Sequence, residues 1–378
     1  MRLLSRVAFL LFPCLLACTA QAVERPGDDR PAVLQALLDK DVAHLSIPGA
    51  LLSVEAGDFR WSGAAGRFGP ASPRVLAPND LFRAASVAKT FTAAAVLVLV
   101  ERGSLALDAP IRGLLRPSTV ALLVEGGYAV DRITLRHLLT HTAGLFDYTE
   151  TASFNQRIFD DPAHHWTRHE QIALAMREGS PLGPPGSAYA YGDTAYVLLG
   201  EVIEVATRSG LAEGQRSLLK LDQLGLADTW LESLEHAPPQ GFERLSHPLY
   251  GEVDTRGWDP SWDLFGGGGV VSSTQDLVRF MDALFDGRIF AKPSTLELML
   301  TPPAVAVETF QGLDGAMGIN RFEASGVTCY GGYGFFGTEV VRCPALDLTF
   351  ARTTNQAEPE AGYDGDALTL ALIELFAR

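Results

Sequence analysis

The order of apolar and polar positions divides the chain into three textures. After Pro31, the run Ala32-Val33-Leu34-Gln35-Ala36-Leu37-Leu38 carries apolar residues at helical spacing, and the proline stands where a first-turn proline is tolerated. A helix over 31–44 is therefore predicted. Ala50-Leu51-Leu52-Ser53-Val54 and Phe59-Arg60-Trp61 read as two strands around the turn Ala56-Gly57-Asp58. The run Thr90 to Leu99 predicts a helix that reaches about Arg102 and stops at Gly103, a residue suited to the position just past a helix. Residues 105–260 lack convincing strands. They hold amphipathic helical stretches at Thr134 to Thr140, Glu170 to Arg177 and Ala195 to Thr207, with the loop Pro181 to Gly186 between the last two.

Past the glycine run Gly266 to Gly269 the texture changes back. Ser273 opens a helix, Asp276 follows three residues on as in a capping box, and Leu277, Phe280, Met281 and Leu284 form its apolar face. Strands are predicted at Gly326 to Tyr330, Thr338 to Val341 and Leu346 to Arg352, then a last helix from about Asp366 to Phe376. No internal repeat or low-complexity tract is visible. The order predicts an α/β (α+β) sandwich, an antiparallel sheet flanked by helices. Its sheet domain would be discontinuous, 23–104 and 262–378, around a mainly helical domain at 105–261.

Composition narrows the function classes. The 378 residues are 47% hydrophobic and 20% charged, as in a packed globular protein. The formal net charge is −15 and no stretch is strongly basic, so no footprint for nucleic acid exists. Residues 1–22 read as a secretory signal, with Arg2 and Arg6 ahead of an apolar run, Val7 to Ala17, too short to span a membrane. Ala20-Gln21-Ala22 fits a cleavage site that would release a soluble, periplasmic chain from Val23. Leu15-Leu16-Ala17-Cys18 is similar to a lipobox, which would leave a lipidated Cys18 as the one tie to a membrane; the bulk of Leu16 favours the soluble form. Cys14 and Cys18 fall in this signal. The remaining pair, Cys329 and Cys343, reads as a disulfide closing the base of a hairpin, against the alternative of two separate buried thiols. No metal-ligating cysteine pattern exists.

The candidate chemistry begins at Ser86-Val87-Ala88-Lys89. Positions three apart on a helix share a face, so serine and lysine would project together. A serine hydroxyl needs a base, and a lysine amine can be one if burial and the partial positive charge of a helix N-terminus keep it neutral. The same four residues also read as a serine N-cap followed by a solvated lysine. His164, His165, His169 and Glu170 contain an i, i+4 pair, but they lie among polar residues and read as a surface helix rather than a zinc site.

Further motifs decide between these readings. The loop Pro185-Gly186-Ser187-Ala188-Tyr189-Ala190-Tyr191-Gly192-Asp193 leads into Thr194-Ala195-Tyr196-Val197-Leu198-Leu199-Gly200. With Ser86-x-x-Lys89 it resembles the serine β-lactamase and penicillin-binding-protein superfamily, in its class C, D-alanyl carboxypeptidase and esterase branch. Ile47-Pro48-Gly49, Phe82-Arg83-Ala84-Ala85-Ser86, Ile133 to Leu145 and Gly268 to Leu277 match in the same order, and the resemblance covers about 30–378. It implies Ser86 as nucleophile, with Lys89 and Tyr191 sharing the proton transfers, and no metal or organic cofactor. His141, in Thr140-His141-Thr142-Ala143-Gly144, would shape the structure rather than act as a base.

Two departures bear on substrate. Asp193 stands where the family has asparagine; a carboxylate only accepts hydrogen bonds, and its charge would raise the pKa of Lys89. Tyr330-Gly331-Gly332-Tyr333-Gly334 replaces the family's Lys-Thr-Gly or His-x-Gly strand. It can lend a backbone N–H to an oxyanion hole beside that of Ser86, but it brings no cation for a substrate carboxylate. The reading is an exported serine hydrolase acting through an acyl-serine on a small ester or amide, with a neutral acyl donor favoured and β-lactams secondary. Its competitor is a catalytically impaired relative serving as a periplasmic or cell-wall binding or sensor protein, with Phe335 or Phe336 filling the cleft.

Overall fold

The computed structural model describes residues 27–44, 46–305, 313–359, 361 and 363–377; the secretory signal with Cys14 and Cys18 lies outside them. Among the described residues, seven strands form one antiparallel sheet in the spatial order Phe59–Gly66, Gly49–Ala56, Leu348–Thr353, Thr338–Cys343, Val327–Gly334, Asn320–Ala324 and Asp314–Gly315. The first hairpin pairs Val54 with Trp61 and then pairs Leu51 with Thr353, so the two ends of the described chain meet in mid-sheet.

Alternation along the strands sends side chains to both faces. Ala50, Leu52 and Val54 join Leu34, Leu38, Leu368 and Leu372 of the terminal helices Arg30–Val42 and Gly365–Phe376 in one core. Leu51 points to the other core, where the helix Thr274–Phe285 lies; there Ser53 hydrogen-bonds the Thr274 hydroxyl at 2.7 Å. The helix Ala88–Glu101 is buried at every position from Ala88 to Leu99, the state expected of a helix apolar on all sides. It is wedged between Thr274–Phe285, through the stacked rings of Phe91 and Phe280 at 3.7 Å, and the helices Asp193–Thr207 and Leu211–Leu219.

The elements with strong periodicity lie where the pattern puts them, within a residue or two at most ends. The differences have physical causes. The helical run from Ser86 is in fact a 3-10 turn, Ala85–Val87, that continues as α-helix from Ala88. The helix Ala152–Asp160 buries just Phe154 and Ile158, too few apolar positions to show a period; its start is fixed by Thr151, whose hydroxyl accepts from Phe154 N. Strands do occur in the middle of the chain. Trp230–Leu231 pairs with Val270–Ser272, which also pairs with Phe82–Arg83, but two-residue strands carry no alternation to read.

Behind the sheet, a polar knot is buried among the terminal helices. Arg352 Nε donates to Glu339 Oε2 at 2.7 Å, Thr369 Oγ1 donates to the same oxygen at 2.7 Å, and Arg352 Nη1 stands 3.6 Å from Asp41 Oδ2.

Cys329 and Cys343 form the disulfide, with Cα atoms 4.3 Å apart on neighbouring strands whose register sets Tyr330 against Arg342. The bond closes a hairpin of sequence separation 14. A cross-link over a loop of this size restricts the unfolded chain by about 3 kcal/mol. The double variant Cys329→Ser, Cys343→Ser should therefore lose about 2–3 kcal/mol of unfolding free energy, seen as a lower urea midpoint.

Candidate functional site

Ser86 sits on a turn that the backbone forces. Ala85 adopts φ +46°, rare for a residue with a Cβ, and swings the chain so that the next residue opens into a cleft. The strand Val327–Gly334 presses against this turn. A Cβ on Gly334 would lie 2.2 Å from Ala84 O, so glycine is required for that approach.

One turn on, the Lys89 side chain is buried and makes two hydrogen bonds and an ion pair. Nζ donates to Ser86 Oγ at 2.9 Å and to Gly267 O at 3.0 Å, and it is ion-paired with Asp193 Oδ1. Burial alone would lower the pKa of this ammonium. The Asp193 carboxylate outweighs burial, with help from Tyr191 and Asp263, and holds it well above the ordinary lysine range. The neutral amine that a helix N-terminus would favour is thus absent: Lys89 is an ammonium with no lone pair to offer.

The Tyr191 ring shows a 54% exposed flank, while its hydroxyl end is tucked within hydrogen-bonding reach of Ser86 and Lys89. Burial raises the pKa of the phenol, and the Lys89 charge offsets part of that rise. The loop bearing Tyr191 is laced to the Thr-His-Thr-x-Gly segment: Ala190 N donates to His141 O at 2.8 Å, Gly186 N to Thr142 O at 2.7 Å and Leu182 N to Gly144 O at 2.9 Å.

Two acids that sequence reading missed complete the surroundings. Asp147 caps the helix Asp193–Thr207, accepting from Asp193 N at 2.9 Å and Thr194 N at 3.2 Å, and so fixes where Asp193 begins. Its partner helix lies 46 residues on, out of reach of any local capping signal. Asp263 packs on the glycine run; a Cβ on Gly268 would fall 1.9 Å from its Oδ1. Burial, then the charge of Asp193, pushes the Asp263 carboxyl up to about 7, against the pull of Lys89 and of Arg83. Arg83 itself forks onto Glu232 at 2.8 and 3.1 Å.

These groups border a cavity of about 580 Å³. Ser86, Lys89, His141, Tyr189 and Tyr191 form one side; Gly315, Ala316, Ile319 and Asn320 face them, and Gly332 and Tyr333 complete it. The predicted strand residues divide here. Gly332 and Tyr333 line the cavity, although the Tyr333 phenol reaches Glu339. Tyr330 and Gly331 do not: Tyr330 packs on Phe285 at 5.6 Å between ring centres, and Gly331 O accepts from Asn320 Nδ2 at 3.4 Å. Asp193 is not in the lining either, being paired with Lys89. His164 is paired with Glu170 and His165 with Asp259, away from the cavity. Among the described residues, no cluster of histidine, cysteine and acidic side chains is arranged to hold a metal ion.

The Beta-lactamase family profile matches residues 34–374. The chain is 30% identical over 277 residues to Esterase EstB of Burkholderia gladioli, covering 67% of this chain and 69% of that one. It is 28% identical over 268 residues to Penicillin-binding protein 4* of Bacillus subtilis (strain 168), covering 65% of this chain and 54% of the relative, so it spans little more than half of that protein's length. A D-stereospecific amidohydrolase from Streptomyces sp. superimposes with a TM-score of 0.75 at 26% identity, over 90% of this chain and 98% of that one.

The Asp263 environment has a stability signature. The folded carboxyl keeps its proton up to about pH 7, whereas the unfolded one releases it near 3.8. Between those values the folded state binds more protons, so this group's contribution to stability falls as pH rises. Asp263→Asn cannot ionise. Its melting temperature relative to wild type should therefore rise between pH 5 and pH 8; a constant difference would place Asp263 outside the charged cluster.

Proposed function

The chain belongs to the beta-lactamase family, and from that premise we propose that it is a serine hydrolase forming an acyl-serine with a small ester, amide or β-lactam. The observation that carries the proposal is the hydrogen bond from Lys89 Nζ to Ser86 Oγ at 2.9 Å, made at the edge of a cavity large enough for a small substrate.

Because the Asp193 carboxylate keeps Lys89 charged, the lysine works as a fixed positive charge and Tyr191 as the proton relay. As Ser86 Oγ bonds to the carbonyl carbon, its proton passes to Tyr191 Oη, and the Tyr191 proton passes to the departing oxygen or nitrogen. The ammonium stabilises negative charge on both hydroxyl oxygens during the transfer. Backbone N–H groups of Ser86 and Tyr333 receive the carbonyl oxygen as it gains charge. Water then attacks the acyl-serine, giving one proton through Tyr191 back to Ser86 and releasing the acid.

The described lining is largely apolar, with Lys89 already paired, which favours uncharged esters or amides over carboxylate-bearing β-lactams and D-alanyl peptides. The kinship with an esterase and the likeness to an amidohydrolase support this choice. Phe335 and Phe336, which would fill the cleft of a non-catalytic binding protein, are not part of the lining. An exported location is part of the same proposal, supported by the disulfide and by the basic-then-apolar start of the sequence.

Hydrolysis of a short-chain nitrophenyl ester by wild type and Ser86→Ala tests the proposal. The variant should lose ~10³-fold or more in kcat, and wild type should show a transient acyl adduct on the Ser86 peptide by mass spectrometry. Equal rates in the two proteins would refute Ser86 as nucleophile and bring the binding-protein reading forward.

A further inference from the structure

We propose that His141 is a positioning residue for Tyr191, holding the peptide groups on both sides of it and thereby setting the Tyr191 hydroxyl against Ser86 and Lys89. The inference rests on the serine-hydrolase reading above.

The geometry is a two-point clamp. His141 O accepts from the N–H of Ala190, the residue before Tyr191, at 2.8 Å; His141 Nδ1 accepts from the N–H of Gly192, the residue after it, at 3.3 Å. One residue therefore grips the chain at two points two residues apart. The imidazole also packs on the ring between them, with centroids 4.6 Å apart and planes tilted by 36°. On its other sides it meets Tyr196 at 4.9 Å and Tyr189 at 5.8 Å. Tyr196 is fixed in turn by its hydroxyl, which donates to Leu139 O at 2.8 Å. Tyr191 is thus held by backbone and ring contacts to a single buried side chain.

His141 reaches both points because its backbone is at φ +55°, in the left-handed region. A residue with a branched environment on every side persists there when its surroundings impose it, and here the two hydrogen bonds do. Since Nδ1 is the acceptor, the ring proton sits on Nε2. Burial first, and the Lys89 charge second, depress the His141 pKa to about 3, so the ring remains a neutral acceptor over the working range. The charged or titratable groups facing it are Lys89, Tyr189, Tyr191 and Tyr196. With its lone pair engaged by Gly192, His141 is no base for Ser86.

Two substitutions separate the acceptor from the backbone shape. In His141→Asn the side-chain oxygen takes the place of Nδ1, and asparagine tolerates a positive φ. In His141→Gly the φ is relaxed but the acceptor and ring are gone. We expect the Asn variant to keep kcat for the nitrophenyl ester within about threefold of wild type, and the Gly variant to lose about tenfold or more with KM changed by less than about threefold. The alkaline limb of kcat/KM, where Tyr191 loses the proton it relays, should move to higher pH in the Gly variant alone, because a displaced phenol loses the help of the Lys89 ammonium. A readout free of turnover is the Tyr191 phenol itself. Its titration, followed by NMR of tyrosine labelled at Cζ and assigned with Tyr191→Phe, should shift upward in the Gly variant and hold in the Asn variant.

Circular dichroism melts confirm folding, and if the glycine variant melts early, both variants are assayed and titrated well below its transition. Loss of kcat to the same extent in the Asn and Gly variants, or an unmoved Tyr191 titration in the Gly variant, would overturn the clamp. Failure of the parent reading looks different: turnover would be insensitive to Ser86→Ala, while the Tyr191 titration would still report on His141.

Discussion

A single ammonium group, placed out of water with three acceptors around it, is the constraint on which this site is built. Removing Lys89 from solvent would by itself favour the neutral amine, and the charge survives because Asp193 stands against it. That pairing dictates the division of labour. In the proposed mechanism the lysine therefore keeps its charge, the phenol of Tyr191 moves the proton, and the serine is activated by the field of that charge. It also explains the acid-rich surroundings: Asp147 holds the turn that delivers Asp193, and Asp263 shares the same buried region at the cost of keeping its own proton to near neutrality.

The site lies between two bodies of structure that meet at the Lys89 helix. The sheet supplies the strand with Gly332 and Tyr333, whose close approach to the Ser86 turn depends on the missing Cβ of Gly334. The helical section supplies Tyr191 through a loop sewn to the His141 segment by backbone hydrogen bonds. Neither body alone brings Ser86, Lys89 and Tyr191 together, and the apolar length of the Lys89 helix is the core common to both.

Much of this could be read from the residues, and the exceptions share a cause. The hairpin at Gly49–Gly66, the Lys89 helix and the last three strands announce themselves through alternation or dense apolar runs. Ser86, Lys89 and Tyr191 were legible because each stands in a local motif, and the charge consequence of Asp193 follows from replacing an amide by a carboxylate. Tyr330 and Gly331 stand outside the lining because a motif names consecutive residues of a strand, while only the end of that strand beside the Ser86 turn borders the cavity. Asp147 and Asp263 were invisible because their partners are distant in sequence, and nothing in an isolated aspartate reveals which helix it will cap or which carboxylate it will face.

Tyr333 joins the cavity to the far side of the sheet. Its buried phenol lies in the field of Glu339, which is held by Arg352 and by Thr369 of the helix Gly365–Phe376, while Arg352 also stands beside Asp41 of the helix Arg30–Val42. The helices Arg30–Val42 and Gly365–Phe376 are thus both fastened behind the strand that borders the cavity. Synthesis delivers these parts at different times, and the pairing of Leu51 with Thr353 cannot form until the strand Leu348–Thr353 has been made. A nascent chain therefore carries Ser86, Lys89 and Tyr191 before it has the strands Val327–Gly334 and Leu348–Thr353 that complete their surroundings, and the cavity is a product of contacts far apart in sequence.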